Sequence, residues 1–213
     1  MPKPIFIFDF DGTIADTFDV VLRVSDLLAK EFHFRKIEPH EVEIFRNKTA
    51  FQILTSLKIP LFKLPKILKR ARFELAKQML SITPFPDMND TLQELKPLSR
   101  HMGIITTNSV QNVKSFLDNH GLNLFDFIET TSRLSQKYEK LKKIKRKLPV
   151  DQTLIYIGDE TRDIEAARRA GVVSIAVTWG YNSLNVLKAH HPDYLASSPS
   201  ELLKICQQFR DRP

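Results

Sequence analysis

Cysteine is almost missing from this chain of 213 residues. Cys206 is the single one, so no internal disulfide can form, and a reducing cytosol is the compartment that this composition favours. The sequence also lacks any continuous apolar stretch of the length that crosses a bilayer. The apolar run that begins at Ile5 is too short for a secretory signal. We therefore expect a cytoplasmic protein without a membrane partner.

Acidic residues are fewer than basic ones, 25 against 32, which gives a net charge of +7. The basic excess is concentrated in residues 137–147 and 63–72. Positive charge permits nucleic acid, anionic surfaces or phosphorylated metabolites as partners. Residues 142–147, however, contain neither an aromatic side chain nor a motif that enters a nucleic-acid groove. A solvated helix face is the simpler interpretation, and we do not expect nucleic acid as the partner.

Short apolar runs alternate with helical patterns in residues 1–15 and 83–213. The runs that predict strands are Ile5–Phe8, Met102–Thr106, Phe127–Glu129, Thr153–Ile157, Val172–Val177 and Asp193–Ala196. Strands that alternate with helices indicate right-handed crossovers and a parallel sheet covered on both faces. We therefore predict an α/β fold with a Rossmann-like core built from these two parts of the chain.

Residues 16–82 show helical spacing only. Asp16 and Thr17 are suitable caps for a helix that runs to about Phe32. The apolar-patterned stretches after it are residues 41–46, 50–57 and 64–79. Because no strand-like alternation appears, we predict a small all-helical domain, residues 16–82, inserted after the first strand.

The first fourteen residues contain the strongest functional signal. Ile5–Phe8 has the length and composition of a buried strand, and it ends in the string Asp9-Phe10-Asp11-Gly12-Thr13. Ligands of open parallel sheets bind outside the carboxyl ends of the strands. Two neighbouring buried carboxylates are costly unless a cation or hydrogen bonds compensate for their charge. Asp9 and Asp11 therefore indicate a functional loop rather than a simple turn.

This string, directly after an apolar strand, resembles the signature of the haloacid dehalogenase-like hydrolases, specifically of their phosphatase branch. Later sites follow in the order of that family's other motifs; they are Thr106-Thr107-Asn108-Ser109, Lys137 and Gly158-Asp159-Glu160-Thr161-Arg162-Asp163. Gly171 and Thr178-Trp179-Gly180-Tyr181 resemble the phosphoglycolate phosphatase-like subgroup, and Pro84-Phe85-Pro86-Asp87 resembles the return from its helical cap. The resemblance covers nearly the whole chain and is weakest in residues 16–82.

The resemblance implies Mg²⁺ as the cofactor. Its ligands would be Asp9, Asp11 through the main-chain carbonyl, Asp159, and Asp163 either directly or through metal-bound water; oxygen ligands of this kind suit Mg²⁺. Asp9 would also be the nucleophile that forms an aspartyl-phosphate. Asp11 would protonate the leaving oxygen and then accept a proton from the hydrolytic water.

Three further residues are implied as phosphate-binding groups. Thr107 would donate its hydroxyl and Asn108 its backbone or side-chain amide to phosphate oxygens. Lys137 would supply a fixed positive charge near the phosphate and Asp9. Lys137 stands in Ser135-Gln136-Lys137-Tyr138 rather than in the Gly-Lys-Pro setting common in the subgroup, and Lys140 is a rival for the role. We place Lys137 first because it precedes the basic helix.

The expected function is a Mg²⁺-dependent phosphatase that hydrolyses small phosphorylated metabolites. A phosphosugar mutase is the nearest alternative, because it would use the same aspartates. A non-catalytic protein that holds a polyanion on its basic helices is the alternative from another class. Arg46 and Lys48, at a break between helices, are candidates for a substrate carboxylate or second phosphate, with an exposed loop as the simpler reading. The sequence does not decide between a monomer and a dimer.

Overall fold

The computed structural model describes residues 2–131 and 136–210. The parts of the predicted core at residues 1, 132–135 and 211–213 lie outside the described residues. The strands are β1 (Ile5–Phe8), β2 (His101–Thr106), β3 (Phe127–Thr130), β4 (Leu154–Gly158), β5 (Val173–Val177) and β6 (Tyr194–Ala196). They form one sheet with the order β3-β2-β1-β4-β5-β6, and every neighbouring pair is parallel. The predicted α/β, Rossmann-like fold is therefore confirmed.

Helices cover both faces of this sheet and fill the segment between β1 and β2. They are α1 (Phe18–Phe32), α2 (Val42–Arg46), α3 (Ala50–Ser56), α4 (Leu64–Gln78), α5 (Met88–Leu98), α6 (Val110–Asn119), α7 (Lys137–Lys145), α8 (Thr161–Ala170), α9 (Leu184–Ala189) and α10 (Pro199–Gln207). Short 3₁₀ turns lie at Pro39–Glu41, Leu61–Lys63 and Met79–Ser81. No helix in the described ranges is long and apolar enough to cross a bilayer.

Strand β1 lies at the centre of the sheet, between β2 and β4. All four of its side chains are buried, as expected for a parallel strand covered on both faces. Ile5 and Ile7 join one core cluster, and Phe6 and Phe8 join a second, larger one. The strand order reverses between β1 and β4, and ligands of such sheets bind at this switch point. The residue that follows β1 is Asp9.

The segment of residues 16–82 forms helices and 3₁₀ turns and contributes no strand to the sheet. Helix α1 packs against α4, and isolated bridges of Ala15 with Asp11 and Pro84 bring the two ends of the segment together. The predicted helical character is confirmed, while the division into two domains stays a prediction. The prediction that the Thr17 side chain caps helix α1 is wrong. Thr17 occupies the N-cap position of α1 but makes no capping bond, because its hydroxyl pairs with the Tyr181 hydroxyl at 2.6 Å.

This helical segment is fixed to the core on two sides. Arg72 of α4 donates to the carbonyl oxygens of Thr107 at 2.6 Å and Thr131 at 2.7 Å. On the other side, Asn182 Nδ2 donates to the carbonyl oxygens of Arg46 at 3.1 Å and Lys48 at 3.0 Å. The interpretation of Arg46 and Lys48 as an exposed loop is therefore wrong, because the loop packs against the core.

Candidate active site

Three buried carboxylates meet at the carboxyl end of the central strands. Asp9 follows β1, Asp159 follows β4, and Asp163 lies in the first turn of α8. One carboxylate oxygen of each lies within 4.8 Å of the others. Residues separated by 150 positions in the chain thus face a common point, as the parallel topology requires.

Asp159 is held in place by two donors and by glycines that leave room for it. Thr13 Oγ1 donates to Oδ1 at 2.7 Å, and the Tyr181 backbone N–H donates to Oδ2 at 2.8 Å. Gly12 has a φ of +78°, and a Cβ there would lie 2.3 Å from Asp159 Oδ2. A Cβ at Gly180 would be as close to the same oxygen. Only glycine fits at these two positions.

Lys137 neutralises part of the acidic charge. Its buried Nζ contacts Asp9 Oδ2 and lies 2.5 Å from Asp163 Oδ1. Burial raises the pKa of Asp9 to about 7, although the Lys137 ammonium opposes this shift. Lys140, the rival candidate, points elsewhere and pairs with Glu129 at 2.6 Å on a partly exposed surface. The structure therefore brings Lys137 into the site and leaves Lys140 outside.

The Asp11 carboxylate lies beside this group and is not one of its three members. Asn108 Nδ2 donates to both Asp11 oxygens at 3.1 Å. Burial raises the pKa of Asp11 to about 6, and the hydrogen bonds from Asn108 and Thr17 oppose the shift. A carboxyl group with a pKa near 6 can carry a proton close to neutral pH, as a general acid must.

Thr107 and Asn108 lie in the loop between β2 and α6. Asn108 donates its backbone N–H to Thr106 Oγ1 at 3.0 Å and is buried. Thr107 is half-buried, and its carbonyl oxygen is the one that receives Arg72. The Asn108 side chain contacts the Asp11 carboxylate, and the role of both residues in phosphate binding stays a prediction. The contact of Asn108 with Asp11 was missed by the sequence reasoning.

Three further side chains of the site, Glu160, Arg162 and Tyr156, were also missed. Arg162 forms an ion pair with Glu160 at the start of α8, and its positive charge lowers the pKa of Asp9 and Asp11. Tyr156 donates its hydroxyl to Asp163 Oδ1 at 3.3 Å. The signal for the first pair was present in the sequence, because Glu160 and Arg162 lie inside the string that contains Asp159 and Asp163.

The donor set fits a divalent metal ion. Asp9, Asp159 and Asp163 form the only group of three or more possible metal ligands of this kind among the described residues. Burial also raises the pKa of Asp159, with the nearby acidic groups adding to the shift. Four aspartates and Glu160 stand against Lys137 and Arg162, so negative charge is left without full compensation. Buried carboxylate oxygens with uncompensated charge are the ligands that Mg²⁺ prefers.

The raised pKa of Asp11 makes stability depend on pH. The pKa of Asp11 is about 6 in the folded state, against the ordinary 3.8, so the protonated carboxyl group favours the folded state. This contribution to the free energy of unfolding is fully present below about pH 4 and is lost as the pH rises through 6. We expect the free energy of unfolding of Asp11→Asn to exceed that of the parent by about 1–2 kcal/mol at about pH 8, because the variant carries no charge there. Near pH 4 the two free energies should be equal. Urea unfolding of both metal-free proteins checks this.

A matched control for this measurement is Asp16→Asn, because Asp16 is exposed. This variant should follow the parent at both pH values. A parent protein that is more stable than Asp11→Asn at the higher pH would contradict the argument.

The comparisons with known proteins agree with this geometry. Residues 6–177 match the family model described as haloacid dehalogenase-like hydrolase. The chain is 32% identical to a phosphoglycolate phosphatase from Synechococcus elongatus, over 95% of this chain and 97% of that protein. It is 27% identical to the pyrophosphatase PpaX from Oceanobacillus iheyensis, over 93% of this chain and 94% of that protein.

Solved structures show the same fold. The haloacid dehalogenase-like family protein SP0104 from Streptococcus pneumoniae superimposes with a TM-score of 0.77 at 24% identity, covering 95% of this chain and 98% of that one. CbbY from Rhodobacter sphaeroides, solved in complex with phosphate, gives a TM-score of 0.70 at 20% identity and covers 94% and 96%. The likeness therefore extends over nearly the whole chain and includes most of the helical segment.

Proposed function

Because this chain belongs to the haloacid dehalogenase-like hydrolases, in their phosphoglycolate phosphatase-like subgroup, we propose that it is a Mg²⁺-dependent phosphatase that uses Asp9 as its nucleophile. The resemblance noted in the sequence is thereby confirmed at the level of the family. One observation supports the finer proposal: Asp9, Asp159 and Asp163 converge on one point beside Lys137 and Asp11.

The first step is attack of the Asp9 carboxylate on phosphorus. The new bond joins an Asp9 oxygen to the phosphoryl group, and the bond from phosphorus to the ester oxygen breaks. The leaving oxygen takes the proton of Asp11, whose pKa of about 6 allows that proton to be present. An alcohol departs, and Asp9 carries the phosphoryl group.

The second step releases phosphate by hydrolysis of this aspartyl-phosphate. Asp11, now ionised, accepts a proton from the attacking water, and the bond between Asp9 and phosphorus breaks. Asn108 holds the Asp11 carboxylate through both oxygens, so the same group is positioned for both proton transfers. The site returns to its starting protonation state.

Positive charge is needed in both steps because the substrate and the nucleophile are anions. Lys137 contacts Asp9 directly and lies where it can stabilise the phosphoryl oxygens, and Thr107 and Asn108 supply neutral donors. A bound Mg²⁺ held by Asp9, Asp159 and Asp163, with the Asp11 carbonyl, would supply further charge neutralisation. The proposed roles of these residues follow the sequence prediction.

The helical segment of residues 16–82 acts as a cap in this proposal. It contacts the Thr107 loop through Arg72 and the Asn182 loop through the carbonyl of Arg46, and thus covers the site from two sides. A covered site excludes bulk water and admits small molecules. We expect a small phosphorylated metabolite as the substrate and the cytoplasm as the location, since the chain has no second cysteine for a disulfide.

The function is tested by incubating the purified protein with Mg²⁺ and a panel of phosphorylated metabolites and measuring free phosphate. Release of phosphate that stops with a chelator and returns with Mg²⁺ is the expected result. An isomerised sugar phosphate without free phosphate would point to a mutase. Binding of nucleic acid without phosphate release from any compound would favour the polyanion-binding alternative.

Metal binding has a readout that does not depend on turnover. Mg²⁺ at about 100 times its dissociation constant should stabilise the folded protein by about 2.7 kcal/mol, which raises Tm by several degrees. The variant Asp159→Ala should show no such increase, whereas Asp16→Asn should keep it. An equal increase in Asp159→Ala would contradict the assignment of Asp159 as a ligand.

A further inference from the structure

A cavity of about 180 Å³ lies between the helical segment and the core loops that carry the carboxylates. Apolar side chains form most of its wall, among them Phe18 and Leu22 of α1 and Ile53 of α3. The core side is formed in part by Glu160 and Tyr181. The cavity is therefore apolar over the helices and polar where it meets the core.

The polar wall of this cavity is formed by neighbours of Asp159. Glu160 directly follows Asp159, and the Tyr181 backbone donates to the Asp159 carboxylate at 2.8 Å. The Tyr181 hydroxyl pairs with the Thr17 hydroxyl at 2.6 Å. The cavity thus adjoins the two residues that flank and hold Asp159, one of the proposed metal ligands.

Arg46 lines the same cavity and has an unused donor. Its Nε is buried and has no hydrogen-bond partner among the described residues. The rest of the guanidinium is held, because it lies 5.4 Å from the centre of the Phe18 ring and one Nη donates to the Gly180 carbonyl at 3.1 Å. A buried donor without a partner is unfavourable, and an oxygen atom of a ligand in the cavity would satisfy it.

We propose that this cavity binds the leaving group of the substrate, an inference that rests on the phosphatase function proposed above. The substrate would be a phosphate monoester of an alcohol with an apolar body of about six carbon atoms, since an apolar cavity of about 150 Å³ accommodates benzene. An oxygen acceptor on this body would receive the Arg46 Nε–H. A two-carbon leaving group would leave most of the apolar wall uncovered.

The test is a series of straight-chain alkyl phosphates from methyl to octyl. Their alcohols are similar leaving groups, so differences in kcat/KM report on contacts with the alkyl chain. We expect kcat/KM to rise by about fourfold for each added methylene until the cavity is full, at about six carbons. A flat series in a protein that hydrolyses these esters overturns this inference alone. Absence of phosphate release from every ester and metabolite overturns the proposed function itself.

Two phenylalanine substitutions on α1 locate the effect. Leu22 lines the cavity, whereas Leu27 on the same helix is 43% exposed and lies outside it. Leu22→Phe should lower the ratio of kcat/KM for hexyl phosphate to that for methyl phosphate by about tenfold or more, because the ring occupies the space of the chain. Leu27→Phe should keep the ratio of the parent. Equal ratios in both variants mean that the cavity is only a gap in packing.

The donor of Arg46 is tested with the monophosphate of 1,6-hexanediol, which adds one hydroxyl to hexyl phosphate. The parent protein should prefer the diol ester by about fivefold in kcat/KM. Arg46→Met keeps a long side chain without a donor and should remove this preference while the ratio of hexyl to methyl phosphate stays high. A preference that survives in Arg46→Met shows that another group receives the oxygen and overturns this part of the inference.

Discussion

Asp9→Asn is expected to lower kcat for an aryl phosphate on the order of 10⁵-fold or more, the scale seen when a nucleophile is removed from an enzyme. The asparagine amide is a far weaker nucleophile than a carboxylate, so no phosphoryl-enzyme can form. The shape of the site should be kept, because the asparagine oxygen can still accept the Phe10 backbone N–H that Asp9 Oδ1 accepts at 2.8 Å.

Two measurements make this expectation specific. Rapid quenching followed by mass spectrometry of peptides should find a phosphoryl group on Asp9 in the parent and none in Asp9→Asn. Asp16→Asn makes the same chemical change at an exposed position seven residues later and should turn over at the rate of the parent. Turnover by Asp9→Asn within tenfold of the parent would exclude Asp9 as the nucleophile.

The fold was predictable because the information for it is local and repeated. Four apolar residues at Ile5–Phe8 specify a strand buried on both faces, and each later strand alternates with a helix of adequate length. Parallel topology then forces the carboxyl ends of β1 and β4 to one edge of the sheet. The convergence of Asp9 with Asp159 follows from that topology, so it did not require knowledge of any side-chain contact.

Side-chain partners were less predictable because they depend on loops that meet only in the folded protein. Thr17 has the sequence position of a helix N-cap, yet its hydroxyl forms a hydrogen bond with the Tyr181 hydroxyl, 164 residues later. The phosphate-binding role of Asn108 stays a prediction, whereas the hydrogen bond of its amide to Asp11, 97 residues away, could not be foreseen from the sequence. A local propensity gives way to a tertiary hydrogen bond when the partner is buried and would otherwise lack one.

The choice between Lys137 and Lys140 shows the same limit. Both lysines lie within one turn of the basic helix, and the sequence around them does not show which one is turned toward the sheet. Burial separates them in the structure: Lys137 is 1% exposed, whereas the side chain of Lys140 is 34% exposed. The distinction has an energetic consequence, since a buried ion pair that loses one partner leaves an uncompensated charge.

Lys137→Met should therefore reduce both stability and turnover. Removing the ammonium leaves Asp9 and Asp163 buried and facing each other, which we expect to lower the free energy of unfolding of the metal-free protein by about 3–5 kcal/mol near neutral pH. It also removes a charge next to the nucleophile, which should lower kcat by about 10²–10³-fold. Urea unfolding and aryl phosphate hydrolysis with saturating Mg²⁺ measure the two effects.

Lys140→Met is the matched control, because it removes the same group from a partly exposed pair with Glu129. The variant should lower the free energy of unfolding by less than about 1 kcal/mol and leave turnover unchanged.

The acid limb of the pH–rate profile gives a third readout for Lys137→Met. The Lys137 ammonium opposes the raised pKa of Asp9, so without it that pKa rises further and the limb in Lys137→Met moves to higher pH. If Lys140→Met lost stability and turnover while Lys137→Met behaved like the parent, the active-site charge would belong to Lys140.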